Sequence, residues 1–195
     1  MRDIWRKEDE YYKLAPLTEK DVEKAEERLH VKLPETYINI LKEQNGGYIN
    51  YDSYPTTIPT SWADNHINVD HIWGIGEVNG ILENNYLIKE WGLPKDIVLI
   101  SGSGHSWVAL DYRRKKEEPS VIFLDTDSEQ TIELAPNFEE FVNGLYVEKI
   151  ENVEYEDFDF FTKKWTVEEI NAALTSNNMI EVGYALDCFY VNHTE

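Results

Sequence analysis

The chain has 195 residues, of which 42% are hydrophobic and 29% are charged, a composition typical of a soluble globular protein with one substantial core. Its 18 basic and 38 acidic residues give a formal net charge of −20 at pH 7. This charge disfavours nucleic acids and anionic membranes as partners, because binding to phosphate depends on Lys and Arg. It favours the capture of basic proteins, although it is equally consistent with simple solubility.

The sequence favours the cytoplasm. No apolar run approaches the roughly 20 residues that a transmembrane helix needs. The first residues, MRDIWRKEDEYYK, are charged throughout and contain no apolar core of a signal peptide. Cys188 is the only cysteine, so no intramolecular disulfide can form. We therefore expect a cytoplasmic protein without a membrane span.

A polar lead-in over residues 1–16 precedes the first predicted helix. Thr18 begins this helix with a capping box in which Asp21 replaces the usual Glu or Gln. The apolar face of the helix ends near His30. The pattern therefore predicts one short amphipathic helix directly after the lead-in.

A second helix is predicted within Leu33–Gly47, LPETYINILKEQNGG. Pro34 suits a first helical turn because its φ is fixed. The apolar stripe consists of Tyr37, Ile40 and Leu41 at i, i+3 and i+4. Asn45-Gly46-Gly47 is expected to end the helix, because Asn and Gly accept the left-handed conformation. No residue of this helix has the chemistry of a catalyst.

The middle of the chain is predicted to be irregular. Residues 48–71 lack a clear period and contain two prolines, which indicates a long loop with short extended pieces. Ile72–Ile75 is typical of a short strand. Glu77–Trp91 has a helical pattern that Gly80 interrupts.

Four apolar runs of strand length follow, at Ile97–Ile100, Trp107–Tyr112, Val121–Leu124 and Thr131–Leu134. Short polar turns join the last three, so we predict an antiparallel meander. A helix over Asn137–Leu145 is expected to close the unit.

The composition changes at about residue 148. Residues 148–195 contain 11 acidic and 3 basic residues, a net charge of −8, together with five aromatic residues between Tyr155 and Trp165. Thr166 begins a capping box for a helix to about Leu174, whereas Tyr184–Val191 fits a strand or a buried helix equally well. We expect this segment to be a folded acidic, aromatic extension packed on the main domain.

Two glycine motifs are interpreted as turns. Gly74-Ile75-Gly76 with Gly80 resembles a dinucleotide fingerprint, but the third glycine is one position late. Ser101–His105, SGSGH, lacks the G-x-S-x-G spacing of a hydrolase nucleophile elbow. Neither motif therefore supports catalysis.

Two clusters contain residue types that can bind a metal ion. Asp64, His66, Asp70 and His71 match no known ligand spacing, so a polar loop or a partner contact is favoured. The run from Asp125 begins like a calcium loop, but Gln130 and Pro136 occupy the places where an EF-hand needs Gly and Glu. We expect no metal and no cofactor.

The order of these motifs resembles the SMI1/KNR4 family of the SUKH superfamily over about residues 17–147. Three motifs resemble the opening of the family pattern. They are LTEKD at 17–21 with EERL at 26–29, Leu33-Pro34 with Tyr37 and Leu41, and Asn45-Gly46-Gly47. The later matches are Leu93-Pro94, Ile97–Ile100, the glycine turn at 102–104, Trp107–Asp111, Val121–Leu124 and Asn137–Phe141. The residues from about 148 lie outside the family pattern.

The resemblance implies an α+β fold, with a mostly antiparallel sheet of about 4–6 strands and helices packed around it. It also implies a non-enzymatic protein. Bacterial members are commonly immunity proteins that bind and neutralise a cognate toxin, often a nuclease of a polymorphic toxin system. Fungal members act in cell-wall synthesis signalling, and they typically carry long disordered flanks that this sequence does not show, so we expect the bacterial type.

The leading hypothesis is thus an immunity protein, monomeric or weakly dimeric, whose partner is a basic toxin domain. The alternatives are a regulatory scaffold linked to cell-wall synthesis and a metal-dependent enzyme that uses the cluster from Asp64 to His71. Aromatic anchors and carboxylates would supply the contacts. The residues predicted to contact the partner are Tyr48, Tyr51, Trp62, Asp64, Asp70, Trp73, Trp107 and Asp111.

Overall fold

The computed structural model describes residues 3–148, 166–176, 182 and 185. By its internal contacts the chain divides into two units, Met1–Lys149 and Ile150–Glu195. The predicted packing of the extension on the main domain stays a prediction. Most of the ambiguous segment Tyr184–Val191 lies outside the described residues.

The first unit begins with two short helices, α1 (Glu19–Leu29) and α2 (Glu35–Glu43). The predicted capping box of α1 is confirmed, because the Thr18 hydroxyl accepts from the Asp21 N–H and the Asp21 carboxylate accepts from the Thr18 N–H. The apolar stripe of α2, Tyr37, Ile40 and Leu41, is buried as predicted. Both helices therefore form where caps and apolar spacing agree.

The end of α2 differs from the prediction in one residue. Gly46 and Gly47 have positive φ values of 84° and 138°, as expected. Asn45 is not left-handed; its side chain is buried and serves as a hydrogen-bonding bridge. The glycines turn the chain, while the asparagine holds the neighbouring segments together.

The Asn45 bridge joins three parts of the chain. The amide nitrogen donates to the carbonyl oxygens of Ala15, at 2.9 Å, and Ile75, at 3.1 Å. The amide oxygen accepts from the Ile75 N–H at 2.7 Å, and the backbone carbonyl of Asn45 accepts from the Leu14 N–H. The lead-in, the end of α2 and the Gly74–Ile75 segment are therefore fixed against one another.

Four short strands follow, β1 (Gly47–Tyr48), β2 (Ser53–Pro55), β3 (His66–Asn68) and β4 (His71–Ile72). They form two antiparallel pairs, β1 with β4 and β2 with β3. These are the extended pieces predicted within residues 48–71. The loop 56–65 joins the ends of β2 and β3.

The segment from 72 to 91 is less regular than predicted. The predicted strand stops at Ile72, and Gly74 pairs instead with Gly80 in an isolated bridge. A 3-10 helix, Ile81–Glu83, then leads into α3 (Asn84–Glu90). The helix therefore begins after Gly80, because that residue is held in an extended conformation.

The main sheet is the predicted meander, with strands β5 (Ile97–Ser103), β6 (Ser106–Asp111), β7 (Ser120–Asp125) and β8 (Gln130–Ala135) in that order. Every neighbouring pair is antiparallel. Helix α4 (Phe138–Gly144) follows β8 and buries Phe138, Phe141 and Val142. Helices and antiparallel sheets together make the α+β fold predicted from the resemblance.

In the second unit the predicted helix is confirmed as α5 (Val167–Leu174). Thr166 and Glu169 form its capping box. Ile170 and Ala173 pack with Ala185 in a small apolar cluster. The helix therefore has both the cap and the apolar face that the sequence indicates.

We expect Asn45→Ala and Asn45→Asp to lower the free energy of unfolding by about 2–4 kcal/mol, because each leaves buried backbone groups without a partner. Asp keeps the shape of Asn but cannot donate to the carbonyls of Ala15 and Ile75. Urea unfolding followed by circular dichroism measures the effect. A loss below about 0.5 kcal/mol for both variants would contradict a structural role for the bridge.

Gly46→Ala is expected to destabilise the protein by about 3 kcal/mol or more. Alanine is strained at this positive φ, and its Cβ would also overlap with neighbouring atoms. A Cβ at Gly46 would lie 2.6 Å from the backbone nitrogen of Gly74 and 2.8 Å from the Tyr12 carbonyl oxygen. Gly92 is the matched control, since its φ is +63° but a Cβ there meets no atom within 4 Å. Gly92→Ala should cost about 1 kcal/mol in the same unfolding experiment, and equal losses would refute the argument.

Candidate partner-binding groove

A groove of about 290 Å³ lies beside the β1–β4 pair, where the loop 56–65 and the β5–β6 hairpin meet it. We call it the aromatic groove. Its wall includes Tyr12, Tyr48, Trp62, Asn68, Asp70, His71 and Phe123, with Ser101–Ser103, His105 and Ser106 of the hairpin. Three residues predicted to contact a partner, Tyr48, Trp62 and Asp70, line this one groove.

His71 is held in the wall of the groove by contacts at both ring nitrogens. Its Nε2 atom accepts from the Gly102 N–H at 3.2 Å, and a backbone amide can only donate. The ring proton must therefore sit on Nδ1, which lies 2.6 Å from the Asp70 carboxylate. Both ring nitrogens are thus engaged, so His71 is not free to act as a general base.

Asp70 supplies a carboxylate to the groove. The hydrogen bond from His71 lowers the pKa of Asp70 below its usual value, although partial burial acts in the opposite direction. The side chain retains 39% of its exposure. Asp70 is therefore a charged, accessible group held in place by a buried neighbour.

Aromatic rings surround this pair. The Tyr12 ring stacks on the His71 ring with centroids 4.5 Å apart and planes at 10°. Tyr48 meets the edge of Tyr12 at 5.5 Å, and Tyr11 stacks on Tyr48 at 6.2 Å. Tyr12 has a φ of 62°, which a bulky residue rarely adopts, so its backbone is strained to place the ring there.

Trp62 lies at the outer edge of the groove on the loop 56–65. Its side chain is 62% exposed. The loop is tied to the main sheet just before this residue, because the Ser61 hydroxyl donates to the Asp125 carboxylate and the Gln130 amide donates to the Pro59 carbonyl. A large apolar side chain is therefore presented to solvent by an anchored loop.

Asp125 is the buried anchor of that loop. Burial alone would raise its pKa, but hydrogen bonds from the Ser61 hydroxyl and from the N–H groups of Ser128 and Asp127 lower it overall. The carboxylate is only 2% exposed. The ionised form of Asp125 thus stabilises both the β7–β8 turn and the loop that carries Trp62.

The other residues predicted to contact a partner lie outside the groove. Asp64 is exposed on the loop 56–65. Tyr51 is half-buried and packs against the core. The contacts predicted for these residues and for the three groove residues stay predictions.

Trp73, Trp107 and Asp111 are buried, which corrects their expected position on the surface. Trp73 and Trp107 are 5% and 2% exposed, and their rings meet edge to face at 6.0 Å inside the core. Asp111 is 7% exposed and forms a hydrogen-bonded ion pair with Arg113 at 2.8 Å. These side chains support the sheet and offer little surface to a partner in this conformation.

Sequence reasoning did not include Tyr11 and Tyr12 among the contact residues. They belong to the polar lead-in, and nothing local indicates that this segment crosses the β1–β4 pair. The feature of the sequence that indicates their packing is the adjacent tyrosine pair itself, because two large rings in a charged segment need a surface to pack on.

The structure does not bring together Asp64, His66, Asp70 and His71, the cluster on which the alternative of a metal-dependent enzyme depends. Asp70 contacts His71, whereas the His66 ring lies 2.8 Å from the Asn65 amide oxygen. Among the described residues, no group of three or more His, Cys, Asp or Glu side chains is placed to hold a metal ion. No helix in the described part of the chain is long and apolar enough to span a membrane.

We expect Asp125→Asn to lower the free energy of unfolding at pH 7 by about 1 kcal/mol, through loss of charge-assisted hydrogen bonds. Because the folded-state pKa of Asp125 is lowered, this contribution is complete above the unfolded value of about 4 and is lost as the pH falls through the folded value. The difference between wild type and variant should therefore shrink towards pH 3 and below.

Urea unfolding at pH 7, 5, 4 and 3 measures this difference, with Asp127→Asn as the matched control because the Asp127 side chain is 74% exposed. A difference that stays constant with pH would contradict the assigned role of the ionised Asp125.

Comparison with known proteins identifies the family of the chain. A model of the SMI1 / KNR4 family (SUKH-1) matches residues 16–144. No curated protein matches the chain. The match spans α1 to α4 and includes the Asn45 bridge, Tyr48, the loop 56–65 and the β5–β6 hairpin. Since it covers well over half of the sequence, the chain belongs to the SMI1/KNR4 (SUKH-1) family.

Proposed function

We propose that the protein is a cytoplasmic, non-enzymatic immunity protein that binds and neutralises a basic toxin domain through the aromatic groove. Membership of the SMI1/KNR4 family is consistent with a protein of the immunity type. The observation that carries the proposal is the groove itself, which Tyr12, Tyr48 and the exposed Trp62 line together with Asp70.

The chemistry of this face fits a protein partner. Trp and Tyr are the residue types most often found at the energetic centre of interfaces. Tyr11 and Trp62 are 59% and 62% exposed, so both can lose a large apolar area on binding. The groove is too small for a long substrate, and its buried histidine is already engaged, which favours recognition over catalysis.

The charge of the chain supports a basic partner. A net charge of −20 accelerates the encounter with a positively charged domain, and nuclease domains usually carry a basic substrate cleft. Long-range attraction of this kind sets the rate of association, whereas the aromatic contacts set the lifetime of the complex. The two features therefore have complementary roles in binding.

The test is rescue from a toxin domain, sought first among the products of the genes that neighbour the gene of this protein. Co-production of the wild-type protein should protect cells from that domain, and Trp62→Ala combined with Asp70→Asn should weaken the complex by about 2 kcal/mol or more and reduce protection. Binding of the purified pair is measured by surface plasmon resonance at two salt concentrations, where higher salt should slow association.

Tyr86→Ala is the matched control, because Tyr86 is 63% exposed on α3 and does not line the groove. It should bind and protect like the wild type. Full protection by the groove variant, with loss of protection in the Tyr86 variant, would place the partner elsewhere. Failure of the wild-type protein to bind or protect would reject the proposed function.

A further inference from the structure

The aromatic groove has the shape and charge of a socket for a single cationic side chain. We infer that it takes one arginine of the partner, with the guanidinium against the exposed ring of Trp62 and its charge opposite the Asp70 carboxylate. This inference rests on the proposed function, since it names the chemical group that the groove would recognise.

The size of the groove points to one side chain. At about 290 Å³ it lies at the lower end of the range for small-ligand sites, which is about 300–1,000 Å³. A helix or a strand does not enter such a space, whereas one extended side chain does. The groove therefore fits a single anchoring residue at the centre of a larger contact surface.

The charges that line the groove favour a cation. Neither Lys nor Arg belongs to its wall. The Nε2 atom of His71 accepts from the Gly102 N–H, and the His105 ring faces the carboxylate of Asp127 at 3.5 Å. The Asp70 carboxylate is left as the charged group of the inner wall, and its lowered pKa keeps it ionised at neutral pH.

The aromatic walls favour guanidinium over ammonium. A planar guanidinium stacks on aromatic faces and is less strongly hydrated than the ammonium of lysine. The Arg6 guanidinium carbon already lies 5.7 Å from the centre of the Tyr48 ring, which leaves the exposed Trp62 ring for the guanidinium of the partner. The Asn68 amide and the hydroxyls of Ser103 and Ser106 offer further acceptors for its five N–H donors.

The experiment titrates the full-length ¹⁵N-labelled protein with a capped Gly-Arg-Gly peptide and follows the backbone and indole N–H signals by NMR. Capped Gly-citrulline-Gly keeps the shape of arginine without its charge, and capped Gly-Lys-Gly keeps the charge without the plane. We expect the arginine peptide to shift the signals of Trp62 and Gly102 and to bind at least about fivefold tighter than the citrulline peptide. The lysine peptide should bind with intermediate affinity.

Two groove variants and two controls sharpen the result. Asp70→Asn keeps an oxygen to accept from His71 and should weaken the arginine peptide about fivefold while leaving the citrulline peptide unchanged. Trp62→Ala should weaken both peptides. Glu133→Gln and Tyr86→Ala alter a carboxylate and an aromatic ring outside the groove and should leave all affinities unchanged. Thermal melting checks that each variant is folded.

Equal binding of the arginine and citrulline peptides, or shifts confined to residues outside the groove, would overturn the socket. If the arginine peptide does not bind but the Trp62 and Asp70 variants still lose affinity for the toxin domain, the arginine site is refuted and the proposed function stands. If the arginine peptide binds as described but the variants keep their affinity for the toxin domain, the arginine site is supported and the proposed function of this face is wrong.

Discussion

The buried amide of Asn45 is the interaction on which the first unit depends. It holds the lead-in to the end of α2 and to the segment after β4, through donors and an acceptor that no other side chain could supply with the same geometry. Gly46 and Gly74 allow the backbones to approach closely enough for these bonds to form. The arrangement places Tyr12 beside β1 and β4, so these bonds help to position the inner wall of the groove.

The groove combines rigidity with charge. A histidine engaged at both nitrogens fixes the orientation of Asp70, and a strained tyrosine covers that histidine. Binding sites that are ordered before the partner arrives lose less conformational entropy on association. The acidity of the chain then acts at long range, whereas the carboxylate and rings of the groove act at contact.

Local signals were sufficient for much of the fold. The capping boxes at Thr18 and Thr166, the stripe of α2 and the meander of the main sheet all depend on neighbours in the sequence, and all were predicted. The contact residues were harder, because exposure depends on the tertiary structure. Trp73 and Trp107 resemble Trp62 in the sequence, yet tertiary packing, which includes their contact with each other, decides that they are buried. The role of Tyr12 depends on its contact with His71, which is far away in the sequence, and a single sequence does not show which distant residues meet.

The hydrogen bonds that hold the loop 56–65 to the main sheet also affect how this protein can change its binding specificity. They are made by the Ser61 hydroxyl and the Pro59 carbonyl, whereas the side chain of the next residue, Trp62, is largely exposed. A surface position of this kind tolerates substitution with little effect on stability, usually within about 0.5 kcal/mol. The identity of the residue at this place can therefore diversify in evolution while the loop keeps its conformation, so that one scaffold can acquire new partners without first losing its fold.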